Sequence, residues 1–62
     1  MKKTLGKRIK EARRVRGWTQ ARLAEKLGIS QPNISDWERG KKSPRVTMLP
    51  RIYRVLKLSR VE

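Results

Sequence analysis

What most constrains this chain is a punctuation repeated three times, in which a hydroxyl residue able to open a helix is followed by an apolar-patterned run and then a glycine. Thr4 precedes a run closed by Gly17, Thr19 a run closed by Gly28, and Ser30 a run closed by Gly40. The hydroxyl of Thr or Ser accepts from backbone N–H groups left without partners at a helix start. Glycine enters the left-handed conformation of a helix end with no steric penalty. This grammar predicts short helices over residues 5–16 and 20–27, and a third that opens after Ser30 and stops at Gly40.

The apolar spacing agrees. Leu5, Ile9, Ala12 and Val15 recur at helical intervals and are expected to line one face of the first helix. Trp18 and Leu23 flank Thr19 as a hydrophobic staple, and Ile29 and Ile34 flank Ser30 in the same way. Leu23, Ala24 and Leu27 are expected to turn inward from the second helix, and Ile34 and Trp37 from the third. After the basic loop Gly40-Lys41-Lys42-Ser43-Pro44, the residues Leu49, Ile52, Tyr53 and Leu56 predict a fourth helix. Thr47 is its expected N-cap, which puts Pro50 in the first turn, where the missing N–H breaks no intrahelical bond. The last four residues, Ser59-Arg60-Val61-Glu62, are too few for another helix and are expected to fray. The expectation is an all-α bundle of four or five short helices, forming one domain over residues 1–62.

At 62 residues the chain can bury only a small core. Eighteen Lys and Arg against five Asp and Glu give a formal charge of +13, and self-repulsion of that size favours an anionic partner. Nucleic acid, an anionic membrane surface and an acidic protein all satisfy that requirement. No apolar run reaches the roughly 20 residues of a membrane span, and the N-terminus lacks the apolar core of a signal peptide, so a cytoplasmic location is expected. With no Cys and no His, disulfides, the usual zinc sites and Cys–His or Ser–His nucleophiles are excluded. Catalysis is not expected, nor is a cofactor or small-molecule ligand.

Two short helices joined through Gly28 form a helix-turn-helix over about residues 20–38. Ala24 is small enough to let them approach, Gly28 supplies the positive φ of the turn, and Ile34 with Trp37 pins the second helix onto the first. If Ile34 and Trp37 face inward, Gln31, Pro32, Ser35 and Asp36 face outward, with Asn33 nearer the flank.

The run Thr19-Gln20-Ala21-Arg22-Leu23-Ala24-Glu25-Lys26-Leu27-Gly28-Ile29-Ser30-Gln31, extended by Ile34-Ser35-Asp36-Trp37-Glu38-Arg39-Gly40-Lys41, resembles the lambdoid phage repressor and Cro family. The likeness extends from Leu5 to about Leu58. It implies a lambda-repressor-like fold whose second motif helix enters the major groove of a double-stranded DNA operator. On that reading Gln31, Pro32, Asn33, Ser35 and Asp36 are the candidate base contacts. Gln31 can pair with adenine, Asp36 can accept from a cytosine amino group, and Pro32 can meet a thymine methyl. Gln20, Ser30, Arg39, Lys41, Lys42 and Arg45 are the candidate phosphate contacts. The resemblance also implies an ion pair between Glu38 and Arg13.

The expected function is that of a bacterial or phage-encoded transcriptional regulator of the repressor type. It would bind as a weak, DNA-assisted homodimer, for which Leu56, Leu58 and Val61 are contact candidates, unless they complete the core of one copy instead. Two alternatives share the composition: an antitoxin-type regulator that also holds a toxin, and a cationic membrane-surface peptide. Gly28, Gly40 and the repeated caps favour a compact fold over the latter.

Overall fold

A computed structural model of the protein describes residues 4–58. It contains four α-helices: α1 (Leu5–Val15), α2 (Gln20–Leu27), α3 (Gln31–Arg39) and α4 (Leu49–Leu56), with a 3₁₀ turn at Val46–Met48 leading into the last. The expected fraying of the last four residues, and Val61 as a dimer contact, lie outside the described residues; Leu56, only 1 % exposed, is not available as a dimer contact and completes the core of its own chain.

The first two caps form as the sequence predicts. The Thr4 Oγ1 accepts from the Lys7 N–H at 3.2 Å, and the Thr19 Oγ1 from the Arg22 N–H at 3.0 Å. Gly17, Gly28 and Gly40 adopt φ of +71°, +73° and +78°, so each glycine of the repeated punctuation sits in the left-handed region.

Ser30 occupies the N-cap position of α3, but its side chain makes no capping bond. The reason lies in the two donors a cap would use. Pro32 has no N–H, and the Asn33 N–H is already given to the Ser30 carbonyl at 3.2 Å. The Ser30 Oγ instead accepts from the Asn33 Nδ2 at 3.1 Å.

Thr47 is not the N-cap of α4. It lies inside the 3₁₀ turn, whose own N-cap is Arg45, and Met48 precedes α4 in a helical conformation. The same accounting explains it. The donors Thr47 would cap are Leu49 N–H, which bonds to the Val46 carbonyl, and Pro50, which has none.

The core gathers Ile9, Leu23, Ala24, Leu27, Ile34, Trp37, Ile52 and Leu56, all buried. Val15 does not join it, being 84 % exposed. Each step of three residues falls about 60° short of a full turn, so two such steps carry Val15 about 120° away from Ile9. The vacated place is filled by Arg13 and Gly6, on the side of α1 that meets α3.

Gly6 is the close-approach point between α1 and α3. A Cβ at this position would lie 2.0 Å from the Trp37 carbonyl oxygen, so only glycine lets the two backbones pack there. At the other end of α1, Trp18 sits half-buried with the Lys26 ammonium 4.7 Å and the Arg16 guanidinium 5.8 Å from its ring centre. Its role is structural, as a staple predicts.

α3 packs on α1 and α2, and α4 packs on the same two helices, so that Ile34 and Trp37 of α3 and Ile52 and Leu56 of α4 belong to one core.

Candidate nucleic-acid interface

α3 is held from beneath by an ion pair. The Arg13 Nε donates to the Glu38 Oε2 at 2.7 Å and the Arg13 Nη2 to the Glu38 Oε1 at 3.0 Å, the bidentate geometry in which guanidinium and carboxylate interact most strongly. The remaining guanidinium nitrogen donates to the Trp18 carbonyl at 2.7 Å. The two side chains are only 12 % and 3 % exposed, so the pair implied by the family resemblance is present and largely shielded from solvent.

Gln20 connects this pair to the outer surface. Its Nε2 donates to the Glu38 Oε1 at 3.0 Å, and its Oε1 faces the Gln31 Nε2 at 3.4 Å. The first residue of α2 is thereby oriented by the last turn of α3. Nothing in the local sequence around Gln20 signals this link, because its partner is eighteen residues away.

On the outward side of α3, Gln20, Gln31, Pro32, Ser35, Asp36 and Arg39 line one shallow, open depression. Gln31, Pro32 and Arg39 are exposed, while Ser35 and Asp36 are half-buried. The four residues expected to face outward therefore share one surface.

Asn33 parts from them. It is exposed on the other flank of α3 and lines a second depression with Ile29, Trp37, Lys42, Ser43, Arg45 and Met48. The basic loop thus borders the flank opposite Gln20. Lys41 and Lys42 both turn their backbone N–H groups to the Asp36 carbonyl, at 2.9 and 3.3 Å, which ties the loop to the helix it follows. The Lys42 Nζ lies 3.9 Å from the Asp36 Oδ2, placing a cation beside the carboxylate on this face. Ser30 is exposed at the start of α3, its hydroxyl engaged by Asn33.

Taken together, α2, the left-handed Gly28 and α3 make two short helices crossing over a shared apolar seam, with one polar and basic face left open. These features define a helix-turn-helix protein, and the chain belongs to that family: residues 9–62 match the helix-turn-helix family HTH_3.

Its relatives include a transcriptional regulator and an antitoxin. The chain is 41 % identical over 56 residues to the HTH-type transcriptional regulator ImmR of Bacillus subtilis, covering 90 % of this chain and 44 % of ImmR. It is 38 % identical over 55 residues to the antitoxin HipB of Escherichia coli K12, covering 89 % of this chain and 62 % of HipB. It therefore spans less than two thirds of either relative. Among solved structures, the P22 c2 repressor in complex with a synthetic operator superposes with a TM-score of 0.86 at 31 % identity, over 94 % of this chain and 88 % of that one. The fold is the lambda-repressor-like helix-turn-helix bundle.

Proposed function

We propose that this chain is a sequence-specific, double-stranded DNA-binding transcriptional regulator of the repressor type, which reads the major groove with the outward face of α3. The observation that carries this reading is the shared depression that Gln20 of α2 forms with Gln31, Pro32, Ser35, Asp36 and Arg39 of α3, a helix whose other side is locked to the core. The P22 c2 relative in complex with an operator supports it.

Gln31, Pro32 and Ser35 read base edges, each by the chemistry its side chain offers in the groove. Asp36 joins them through its neighbour: a lone carboxylate is repelled by phosphates, but Lys42 partly offsets its charge and leaves the oxygens able to accept from a cytosine amino group. Asn33, held by Ser30 beside the basic loop, contacts the groove edge. Gln20 and Arg39 meet the phosphates of one strand, and Ser30, Lys41, Lys42 and Arg45 those of the other. A basic element on each flank of α3 matches the two backbones that border a major groove.

The protein acts as one non-catalytic binding module over residues 1–62, and two copies bind half-sites about one helical turn apart. An antitoxin role, in which the same fold also holds a toxin, has the likeness to HipB in its favour, and co-purification of a second protein with the chain would select it. The membrane-peptide reading loses ground. No helix of the described residues is long and apolar enough to cross a membrane, and the apolar faces of α1 to α4 are consumed in one core.

The test is titration of a duplex recovered by the protein from a random-sequence pool, against a scrambled duplex, at several salt concentrations. The recovered duplex is expected to bind at least about 10³-fold more tightly. Equal affinity at every salt concentration would refute sequence-specific reading.

A further inference from the structure

We propose that Glu38 determines which base Gln31 accepts: acting through Gln20, it fixes the direction of the Gln31 side-chain amide, so that adenine fits and guanine is refused. The proposal rests on the reading of α3 as the groove-facing helix, and it gives Glu38 a positioning role beyond its ion pair.

The chain of hydrogen bonds has a direction, and Glu38 sets it. Both of its carboxylate oxygens accept from Arg13, Oε2 from Nε at 2.7 Å and Oε1 from Nη2 at 3.0 Å. A guanidinium only donates, so the carboxylate is held as an acceptor at both ends. Gln20 therefore gives the Glu38 Oε1 its amide nitrogen, at 3.0 Å, because its oxygen would bring two acceptors together. With Nε2 committed to Glu38, Gln20 turns Oε1 toward Gln31, which meets it with Nε2 at 3.4 Å. This last contact is long, yet the reverse direction would set the Gln31 Oε1 against the Gln20 Oε1. The Glu38 side chain is 3 % exposed, so water is kept from taking the place of its partners.

A glutamine on an open surface has no such preference. Its amide presents one acceptor and two donors, and a half-turn about the last side-chain bond exchanges their places. Here one Gln31 N–H is engaged by Gln20. The other N–H and the carbonyl oxygen remain, and among the described residues the side chain makes no other hydrogen bond.

That remainder is the complement of adenine in the major groove, where the N–H donates to N7 and the oxygen accepts from N6. Guanine presents two acceptors, N7 and O6, and a bidentate contact to it takes both N–H groups of an amide. Gln31 has one left, and its oxygen would face the guanine O6. Thymine offers O4 alone and cytosine N4 alone, so each takes a single bond whichever way the amide points. The relay therefore bears on guanine and leaves the pyrimidines as they were. The second N–H of the Gln20 amide is still available to a phosphate, so the relay and the phosphate contact are compatible.

The experiment takes the duplex recovered by selection, locates the base pair at which Gln31→Ala loses discrimination, and measures affinity for duplexes carrying each base there. It is run at a temperature where circular dichroism shows every protein folded. The parent should prefer adenine to guanine by at least about tenfold. Gln20→Met keeps the side-chain length without the amide. It should bind every duplex more weakly, with the adenine-to-guanine ratio reduced to about threefold or less and the adenine-to-pyrimidine ratios within about twofold of the parent's. In Glu38→Gln the amide oxygen stays on the Arg13 Nε, the shorter bond, and the NH₂ turns to Gln20. Gln20 then reverses, both Gln31 N–H groups are released, and the adenine-to-guanine ratio should fall as in Gln20→Met. The double variant Glu38→Gln, Gln20→Met should show no further fall. Should Glu38→Gln fail to fold, Gln20→Met decides the question.

Equal relaxation toward guanine and both pyrimidines overturns the proposal, since Gln20 would then only steady Gln31. An unchanged adenine-to-guanine ratio in Gln20→Met overturns it too, leaving Gln20 a phosphate contact and Glu38 a structural partner of Arg13. A folded Glu38→Gln that keeps the parent ratio removes Glu38 from the relay, and a parent that prefers another base at that pair removes its object. A parent with no preference at any base pair would strike the α3 reading separately.

Discussion

The two faces of α3 are built by opposite rules. Inward, Ile34 and Trp37 are buried and Glu38 receives three charge-assisted or amide hydrogen bonds from Arg13 and Gln20, so every polar and apolar group has a fixed partner. Outward, Gln31 has one long contact to Gln20, and Asp36 has one loose cation in Lys42. The contrast shows how a bundle of four short helices can hold the surface proposed to read DNA. Specificity requires side chains that keep unused hydrogen-bonding capacity, and these stay in place only because the opposite face of the same helix is over-determined.

Breaking the inward face should be the costliest change. Glu38→Ala leaves the Arg13 guanidinium without its carboxylate in a largely dry site, and urea unfolding should register a loss of about 3–5 kcal/mol. A loss under about 1 kcal/mol would mean that water replaces the pair readily.

Gly6→Ala attacks the same face through the backbone. The added methyl would meet the Trp37 carbonyl, and a flexible side chain cannot yield on its behalf, so thermal unfolding should show destabilisation of about 1–3 kcal/mol despite the better helix propensity of Ala. Stabilisation would show that α1 slides over α3.

Gln31→Ala sharpens the comparison from outside. It should leave Tm unchanged and lower discrimination by about 1–3 kcal/mol at a single base pair of the recovered duplex. Lys42→Ala is the mildest. Competition against duplexes of several sequences should show the salt slope reduced by about one and a weakening that is uniform except at the base pair Asp36 faces, where the lost cation also weakens that contact. A base-specific effect of Lys42→Ala at any other position would instead mark Lys42 as a reader in its own right.

Much of this architecture was legible from local pattern. The three glycine stops are left-handed, Thr4 and Thr19 cap, and Ile34 and Trp37 face inward, because each depends on residues within one or two turns. The outward set of α3 followed from the same angular argument, and the structure gathers Gln31, Pro32, Ser35 and Asp36 on one surface while leaving Asn33 to the loop flank.

What escaped depends on partners distant in sequence or on competition for a donor. Val15 fits the apolar spacing pairwise but drifts off the buried face over two steps. Thr47 is a good capping residue whose targets are a proline and an amide already bonded to Val46. Gly6 was a signal passed over: a glycine inside a helix weakens it by about 1 kcal/mol relative to Ala, and close approach to Trp37 is the return. The link from Glu38 through Gln20 to Gln31 runs from α3 to α2 and back and has no local signature. The Arg13 and Glu38 pair came from the family resemblance, which carries such distant partnerships where periodicity does not.

The most direct test of the central claim is binding-site selection from a random duplex pool, run in parallel with the parent chain and with Gln31→Ala, Ser35→Ala. The parent should enrich a defined motif, with half-sites about one helical turn apart. The variant, folded to the same extent by circular dichroism, should lose information at the base pairs those two side chains face. An identical motif from both proteins, or no motif from the parent, would contradict the assignment of sequence reading to the outward face of α3.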